Sequence, residues 1–531
     1  MSTILNFKDI VDLPRWRPLA TTPAINGGFP VSTLACDFRN NEDRHPIMYL
    51  INGGTSSLMG YNVKNDSWIS IPGYSGSNAN YGGDVIMPSQ GPKGILAGGN
   101  TTTDVVISTA LPSAVGTNML ANRGDGIGFK IRIIGNAAGS SGKTEERYII
   151  ANTGGGAGTT TPTITLNTPL SFVPIAGDTY QLLSGKVYLI SGSNGAGGWK
   201  YFDIATSSYS GNLSTTNLPA TTATCSFVGL DELYVPYDRN PGEGFFGNLV
   251  ATATGAASLT GQAAGGDASV SINEHRNFQI RIVQDIATPT AVGQRRNITS
   301  HTAGPSPIYT VSAWSVQPSA TATYVIENNS DRIILFMNGQ SNTFTYNITA
   351  NTWDTTTFAN RGTNASVGVS SVQAFGIEPD PDKNARHSFI YSFRGGANIS
   401  TIDLFDIAGA ATGTWTLAIA FSNPPISYPS VIFGTSCTYD PATMQGRYMY
   451  INVPIVSSAP SSPQGQDYYR FDVKNRVMES YVFRKFPFTN NSEASRMGYT
   501  VFIDGNTKLS FIVHVLNGTG NVPVFGLPIS R

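Results

Sequence analysis

An aromatic residue followed by Asn or Asp and then by Ile or Val recurs five times along this chain of 531 residues, as Tyr61-Asn62-Val63, Phe202-Asp203-Ile204, Tyr346-Asn347-Ile348, Phe405-Asp406-Ile407 and Phe471-Asp472-Val473. Each copy lies in a period-two strand pattern. Seven residues after the aromatic stands a second large side chain (Trp68, Tyr209, Trp353 or Met478), and in the remaining copy Trp415 follows Phe405 by ten. Upstream lies an apolar strand ending in glycine: IMYLINGG at 47–54, VYLISG at 187–192, IILFMNG at 333–339 and FIYSFRGG at 389–396. The strand around Tyr448, Met449, Tyr450 and Ile451 fills this place in the fifth unit, without the glycines.

Each unit reads as a small antiparallel meander. Glycine at the strand end permits a tight turn, and the two aromatics project from adjacent strands to pack against the next unit. One such sheet cannot bury both of its faces, so several must stack side by side around an axis. A sixth unit is split between the two ends of the sequence. FIVHVLNG at 511–518 is another glycine-ended strand, and Phe525 lies 12 residues after Val513, as Tyr61 lies 12 after Tyr49. Seven positions beyond Phe525 would be 532, so Trp16, within RWRPLA, is expected to supply the missing partner. Such a strand exchange would close a ring and remove open sheet edges.

The repeating Asn or Asp falls at 62, 203, 347, 406 and 472, and the first two intervals, 141 and 144, exceed the others by a small domain's worth of chain. The two insertions resemble each other. FKIRII at 129–134 matches FQIRIV at 278–283, and Arg147-Tyr148-Ile149 matches Arg296-Asn297-Ile298, both at an offset of 149. Pro174 and Tyr180 match Pro318 and Tyr324 at an offset of 144. Alternation in TPTITLNTPLSF and SPIYTVSAWSVQP argues for strands, so each insertion is expected to be a small β domain. The resulting division is a propeller over 1–99, 186–238 and 331–531, with insertions at 100–185 and 239–330. The expected fold class is all-β: a six-bladed β-propeller closed by the N- and C-terminal strands and carrying two related β insertions.

Only 13% of residues are charged, against roughly 25% in an average domain, which excludes a coiled coil or a long-helix protein. The net charge of −1 provides no electrostatic footprint for nucleic acid or an anionic membrane. No run of 18 apolar residues occurs, and MSTILNFKDIVDLPRWRP lacks a basic segment followed by an apolar one, so no signal peptide or membrane span is expected. Three cysteines without C-x-x-C spacing (Cys36, Cys225, Cys437) disfavour a disulfide framework and a zinc knuckle.

With IMYLINGG, Tyr61 and Trp68, the sequence resembles the Kelch family of β-propellers, whose units carry an apolar strand, a Gly-Gly pair, then a Tyr and a Trp separated by six residues. The other units match in part: Gly-Gly is single in three, and Tyr209 or Met478 replaces Trp in two. The combination of FKIRII…RYII…GDTY insertions, rich in Gly, Ala, Thr and Ser, with a low-charge propeller resembles structural proteins of tailed bacteriophage particles. That resemblance implies a non-enzymatic virion component of the tail, neck or baseplate, made in the host cytoplasm and binding other virion proteins in several copies within a symmetric assembly. Glycan or receptor binding is the alternative, with Trp314 or Tyr324 either offering a stacking surface or forming the core of the second insertion.

Several chemical motifs fail on their own terms. GSSGKT at 139–144 has Ala137 where a phosphate loop needs its first glycine, and ERYII follows as a strand, so a polar hairpin turn is expected. DPDKN at 380–384 begins like a calcium loop but has Ala385 and Tyr391 at the positions of the required Gly and Glu. Arg123-Gly124-Asp125 is a chance-level tripeptide. His45, His275, His301, His387 and His514 show no i, i+4 pairing, and Cys36 and Cys437 sit equivalently, 13 residues before strand tyrosines, as packing residues. The signatures of Kelch-type copper oxidases and of sialidases are missing. No catalytic, cofactor or metal residue is therefore assigned, no cofactor is expected, and the binding residues are left open.

Overall fold

A computed structural model describes residues 16–24, 47–74, 83–108 except 89, 115–121 except 119, 128–154, 161–183, 185–191, 198–218, 225–230, 249–262, 269–365, 369–375, 388–394, 401–420, 436–440, 448–454, 466–479 except 474 and 476, 496–504, 507–516 and 521–529. Among these the chain is all-β and propeller-like, with a 3-10 turn at Pro289–Ala291 and no α-helix. Two larger sheets accompany a series of small antiparallel ones.

Sheet A contains Ile47–Asn52, Ser57–Asn62 and Ser67–Gly73; sheet B contains Asp84–Ile86, Lys186–Ile190, Lys200–Asp203 and Ser208–Tyr209. Sheet C is built from Cys225–Gly229, Arg332–Met337, Phe344–Asn347 and Thr352–Asp354, and sheet D from Ser370–Phe375, Ser388–Phe393, Thr401–Asp406 and Thr414–Ala420. Sheet E takes Ser436–Asp440, Tyr448–Pro454, Gln466–Asp472 and Val477–Glu479. Sheet F joins Arg496–Asp504, Thr507–Val515 and Val524–Ile529 to Arg17–Leu19.

The spacing of the aromatics follows from strand register. Tyr61 lies opposite Trp68 and Tyr346 opposite Trp353, because a four-residue turn separates the strands, and their ring centroids are 4.8 and 5.0 Å apart. Phe202 and Tyr209 repeat the arrangement at 5.0 Å. In sheet D the turn is three residues longer, so Phe405 meets Trp415 ten positions on, at 4.9 Å. The Asn or Asp of each triplet holds that turn: its Oδ1 accepts a backbone N–H two or three residues ahead, at 3.0 Å for Asn62, 2.9 Å for Asp203, 2.7 Å for Asn347, 2.9 Å for Asp406 and 3.0 Å for Asp472. The following Ile or Val tucks into the core.

Period-two alternation divides each central strand between two neighbours. Ile47, Tyr49 and Ile51 of sheet A pack with Val187 and Leu189 of sheet B, while Met48 and Leu50 pack with Val513 and Phe525 of sheet F. Tyr188 and Ile190 turn the other way, onto Ile333 and Leu335 of sheet C, whose Ile334 and Phe336 meet Ile390 and Phe405 of sheet D. Sheets D and E share Tyr391, Leu404, Cys437 and Ile451. Burial on both faces explains why these strands read as continuous apolar runs instead of alternating with polar residues. Innermost strands are also cross-linked: Asp84 Oδ2 accepts the Phe227 N–H (2.8 Å), Ser226 Oγ accepts that of Ser371 (2.9 Å), and Ser370 Oγ accepts that of Cys437 (3.1 Å).

At the chain ends, Arg17, Pro18 and Leu19 pair with Gly526, Phe525 and Val524. The residue opposite Phe525 is therefore Pro18 and not Trp16. Trp16 packs into the same apolar cluster as Phe525, with its ring 6.0 Å from that of His514.

Candidate functional site at the junction of the inserted sheets

The two larger sheets arise at the same place in neighbouring units. The first lies between the first and second strands of sheet B, and the second between the first and second strands of sheet C. Their strand orders correspond. In the first, the order is Gln90–Ile95, Thr179–Leu183, Lys130–Ile134, Thr144–Asn152, Thr163–Leu166, Asp104–Val106. In the second it is Leu249–Val250, Thr323–Glu327, Gln279–Gln284, Arg295–His301, Ile308–Val311, Ser258–Thr260, with Ala253–Gly255 added at the edge. The strand Gln90–Ile95 belongs to the first inserted sheet, within the stretch 1–99 that the sequence assigns to the propeller.

The repeated residues have matched duties. Phe129, Ile131, Ile133 and Ile149 fill the first core as Phe278, Ile280, Ile282 and Ile298 fill the second. Arg147 Nε donates to the Pro169 carbonyl and Nη1 to that of Glu146; Arg296 does the same to Ala313 and Arg295. Glu145 and Gln294, two residues earlier, accept the N–H groups of Ser171 and Ser315. Another twin pair has exchanged partners. Buried Arg132 donates to Glu146 at 2.7 and 2.9 Å, whereas Arg281 reaches Glu327 on the opposite side, because Arg295 occupies the position corresponding to Glu146.

The inserted sheets dock on each other. Asp285 N–H donates to the Gly142 carbonyl at 2.8 Å, Asn136 Nδ2 donates to the Val292 carbonyl at 3.3 Å, and Ile134 of the first joins the core of the second. Gly142 has φ +65°, and a Cβ there would lie 2.1 Å from the Asp285 carbonyl oxygen, so this approach requires glycine. The second insertion also reaches sheet D, where Asn277 Nδ2 donates to the Ile407 and Ala410 carbonyls at 2.7 and 3.1 Å.

Between the inserted sheets and the Asp331–Arg332 edge of sheet C opens a cleft of about 650 Å³. Its floor is a directed chain: Arg295 Nη2 donates to Gln181 Oε1 (3.2 Å), Gln181 Nε2 to Gln90 Oε1 (3.4 Å), and Gln90 Nε2 to Ser330 Oγ (2.9 Å). Glu327, 1% exposed, accepts from Gln279 Nε2 at 3.0 Å and from Arg281 Nε and Nη2, with Arg295 Nε 3.6 Å away. Lys93, Arg281, Arg295, Arg296 and Arg332 are the cationic groups of the lining, against the carboxylate of Asp331. Arg332 leans on Asp354 at 3.5 Å and Asp331 accepts from Thr349, so both edges are held in place. Burial lowers the Arg296 guanidinium from its ordinary value.

The residues singled out in the sequence lie elsewhere. Trp314 and Tyr324, at 8% and 0% exposure, are core residues of the second insertion; the Tyr324 hydroxyl accepts the Gln262 N–H and the Trp314 indole points to the Ser258 carbonyl. They offer no stacking surface, because the sheet needed both aromatics to fill its own interior. GSSGKT forms the turn leading into Thr144–Asn152, with Gly139 and Gly142 at positive φ and Lys143 Nζ 3.3 Å from Ser171 Oγ. His275 and His301 are buried and stacked at 5.3 Å, the His275 N–H donating to His301 Nε2, while His514 is buried in sheet F. Cys437 is buried against Ser370 and Cys225 is half-buried. Cys36, His45, His387, Arg123-Gly124-Asp125 and the segment 380–384 lie outside the described residues. Sequence reading missed the cleft; the Arg295-Arg296 doublet, beside a twin that has Glu146-Arg147, is the signal that marks it.

No protein-family model matches the chain, and no curated protein does. Among solved structures it is similar to an auxiliary nutrient binding protein from Bacteroides thetaiotaomicron, with 10% identity over 82% of this chain and 98% of that one, at a TM-score of 0.22. It is similar to the GH74 xyloglucanase from Xanthomonas campestris at 8% identity, covering 98% of this chain and 100% of that one, TM-score 0.19. With the tricorn protease it shares 10% identity over 93% of its length at a TM-score of 0.17, and it spans 47% of that protein.

Proposed function

We propose that the chain is a six-bladed Kelch-like propeller, closed by its N- and C-terminal strands, that serves as a non-enzymatic structural subunit of a tailed-phage virion. In this reading the propeller is the platform, and the inserted sheets bind neighbouring subunits of the tail, neck or baseplate. Closure is supported by a recurring latch. A residue one to five positions beyond the last strand of one sheet donates its N–H to the turn of the next: Ser214 to Asn351 Oδ1 (2.9 Å), Ala359 to the Thr412 carbonyl (2.7 Å), and Ala20 of sheet F to Asp66 Oδ1 of sheet A (2.6 Å).

The observation that carries the assembly role is the placement of exposed apolar side chains. Of nine large hydrophobics exposed among the described residues, eight lie in the two insertions, Ile95, Ile150, Val250 and Ile308 on strands and Val173, Ile175, Ile272 and Ile286 on the connecting loops. Leu417 is the ninth. Exposed apolar groups concentrated in the insertions favour protein contacts, and a low-charge chain suits broad, wet interfaces. The test is a density map of the intact assembly together with an Ile272→Asp/Ile286→Asp variant. The inserted sheets are expected to contact adjacent subunits, and the variant to enter particles at least about tenfold less, with an unchanged melting temperature. A stable monomer absent from every particle would overturn the reading.

A further inference from the structure

We infer that the turn 271–277 is an acid-released latch between the second inserted sheet and the propeller, with the His301 imidazole as its trigger. This goes beyond the assembly role and does not depend on it. Three bonds clasp the turn to the end of strand Arg295–His301: Asn273 N–H donates to the His301 carbonyl (3.2 Å), His301 N–H to Asn273 Oδ1 (2.8 Å), and His275 N–H to His301 Nε2 (2.8 Å). Asn277, at the far end of the turn, is the dock: its Nδ2 donates to the Ile407 and Ala410 carbonyls of sheet D, whose Ala408 joins the core of the inserted sheet. Asn273 and Asn277 hold φ of 60° and 67°, so clasp and dock sit within one tightly wound segment. Ile272 on the same turn is 68% exposed, and release of the turn therefore also rearranges a surface open to partners.

Both nitrogens of the trigger are committed. His301 Nδ1 lies 2.9 Å from the Thr302 carbonyl, which can only accept, so Nδ1 carries the hydrogen. Nε2 then holds the lone pair that accepts the His275 N–H, and a proton added there would set N–H against N–H at 2.8 Å. An ionised ring and an intact clasp exclude each other. His301 is 3% exposed and stacks at 5.3 Å on the His275 ring, itself 1% exposed, so little water reaches the charge. Among the described residues, the groups around it do not welcome a cation: Arg276 of the turn repels it, Glu274 Oε2 accepts the Ser271 N–H, and Tyr309 and Tyr324 of the neighbouring strands are neutral phenols. Asp406 of sheet D accepts the Ala408 N–H of its own turn. Burial above all, with Arg276 adding and the Thr302 carbonyl opposing, holds His301 below its ordinary 6.5. Opening the turn returns the ring to water, so below pH 6.5 opening gains about tenfold per unit until the closed form itself takes up the proton.

The test is amide exchange on the full chain at about pH 7.5 and about pH 5, corrected for intrinsic rates. Protection at His275 and Asn277 is expected to fall roughly thirtyfold at the lower pH, and that of Gly409 and Gly413 in the sheet D turn to fall with it. Ile280 and Ile298 in the core of the inserted sheet should keep theirs. His301→Gln cannot ionise, and its side-chain oxygen can accept the same N–H, so its protection should be equal at the two pH values. His514→Gln, which alters the buried histidine of sheet F, should leave the loss intact. A loss in His301→Gln as large as in the parent, or protection at His275 that stays constant in the parent, would overturn the inference. Should His301→Gln not fold, ring-nitrogen NMR of the parent decides: Nε2 of His301 is expected to be the unprotonated nitrogen at about pH 7.5, and the opposite tautomer would overturn it.

Discussion

The second member of each aromatic–Asn/Asp–Ile/Val triplet shows what a short motif can encode. An Asn or Asp side chain closes a turn by accepting a backbone N–H a few residues ahead, and Asp66 and Asn351, with φ of 49° and 54°, accept the hydroxyls of Tyr61 and Tyr346 from the same turns. Ring, cap and left-handed turn residue thus form one device, legible because every part is local. Long-range partners are not legible in this way: His514, within the glycine-ended strand FIVHVLNG, is fully buried beside Asn452 and Trp16, where burial lowers its pKa to about 3 from the ordinary 6.5. The unfolded chain takes up this proton below pH 6.5 while the folded chain refuses it until about pH 3. Stability should therefore be greatest above 6.5 and decline as the pH falls, by up to about 1.4 kcal/mol per pH unit for this group. Urea unfolding at about pH 7.5 and about pH 4.5 measures the slope, and His514→Gln should reduce it.

At the level of strands and sheets, the internal duplication was readable from offsets of 149 and 144, because the inward-facing positions of a strand tolerate few residue types and repeat as a pattern. What the offsets could not reveal is docking, which depends on backbone approach at a single glycine. Gly142→Ala should separate the modules, since its Cβ would collide with the Asp285 carbonyl oxygen at 2.1 Å. Amide exchange at Asp285 should accelerate and the melting temperature should drop. Gly139→Ala is the control: its φ is +82° but nothing lies within 4 Å, so only backbone strain of about 1–2 kcal/mol is expected, with exchange at Asp285 unchanged. The cleft was invisible in the sequence for the same reason, since Lys93, Arg295 and Asn347 belong to three different sheets.

Across the whole molecule, a repeating sheet with both faces buried accounts for the low charge and the glycine-ended apolar strands, so the all-β architecture was legible in advance. The role of Trp16 was read less well: a count of seven assumes an uninterrupted turn, whereas two separate segments of chain set their own register and place Pro18 opposite Phe525. Removing residues 1–24 should expose the edge of Val524–Ile529 and the cluster around Phe525. Size-exclusion chromatography with light scattering is expected to show soluble aggregates for that truncation, while a monodisperse monomer would contradict it.

The pairing of Arg17–Leu19 with Val524–Ile529 also sets a timetable for biosynthesis. On the ribosome the early strand has no partner until the strand about 500 residues further on has emerged, roughly 25–100 s later at about 5–20 residues per second. For that interval the nascent protein carries an unsatisfied strand and its tryptophan into a crowded cell, and sheet F sets only after sheets A to E have been synthesised.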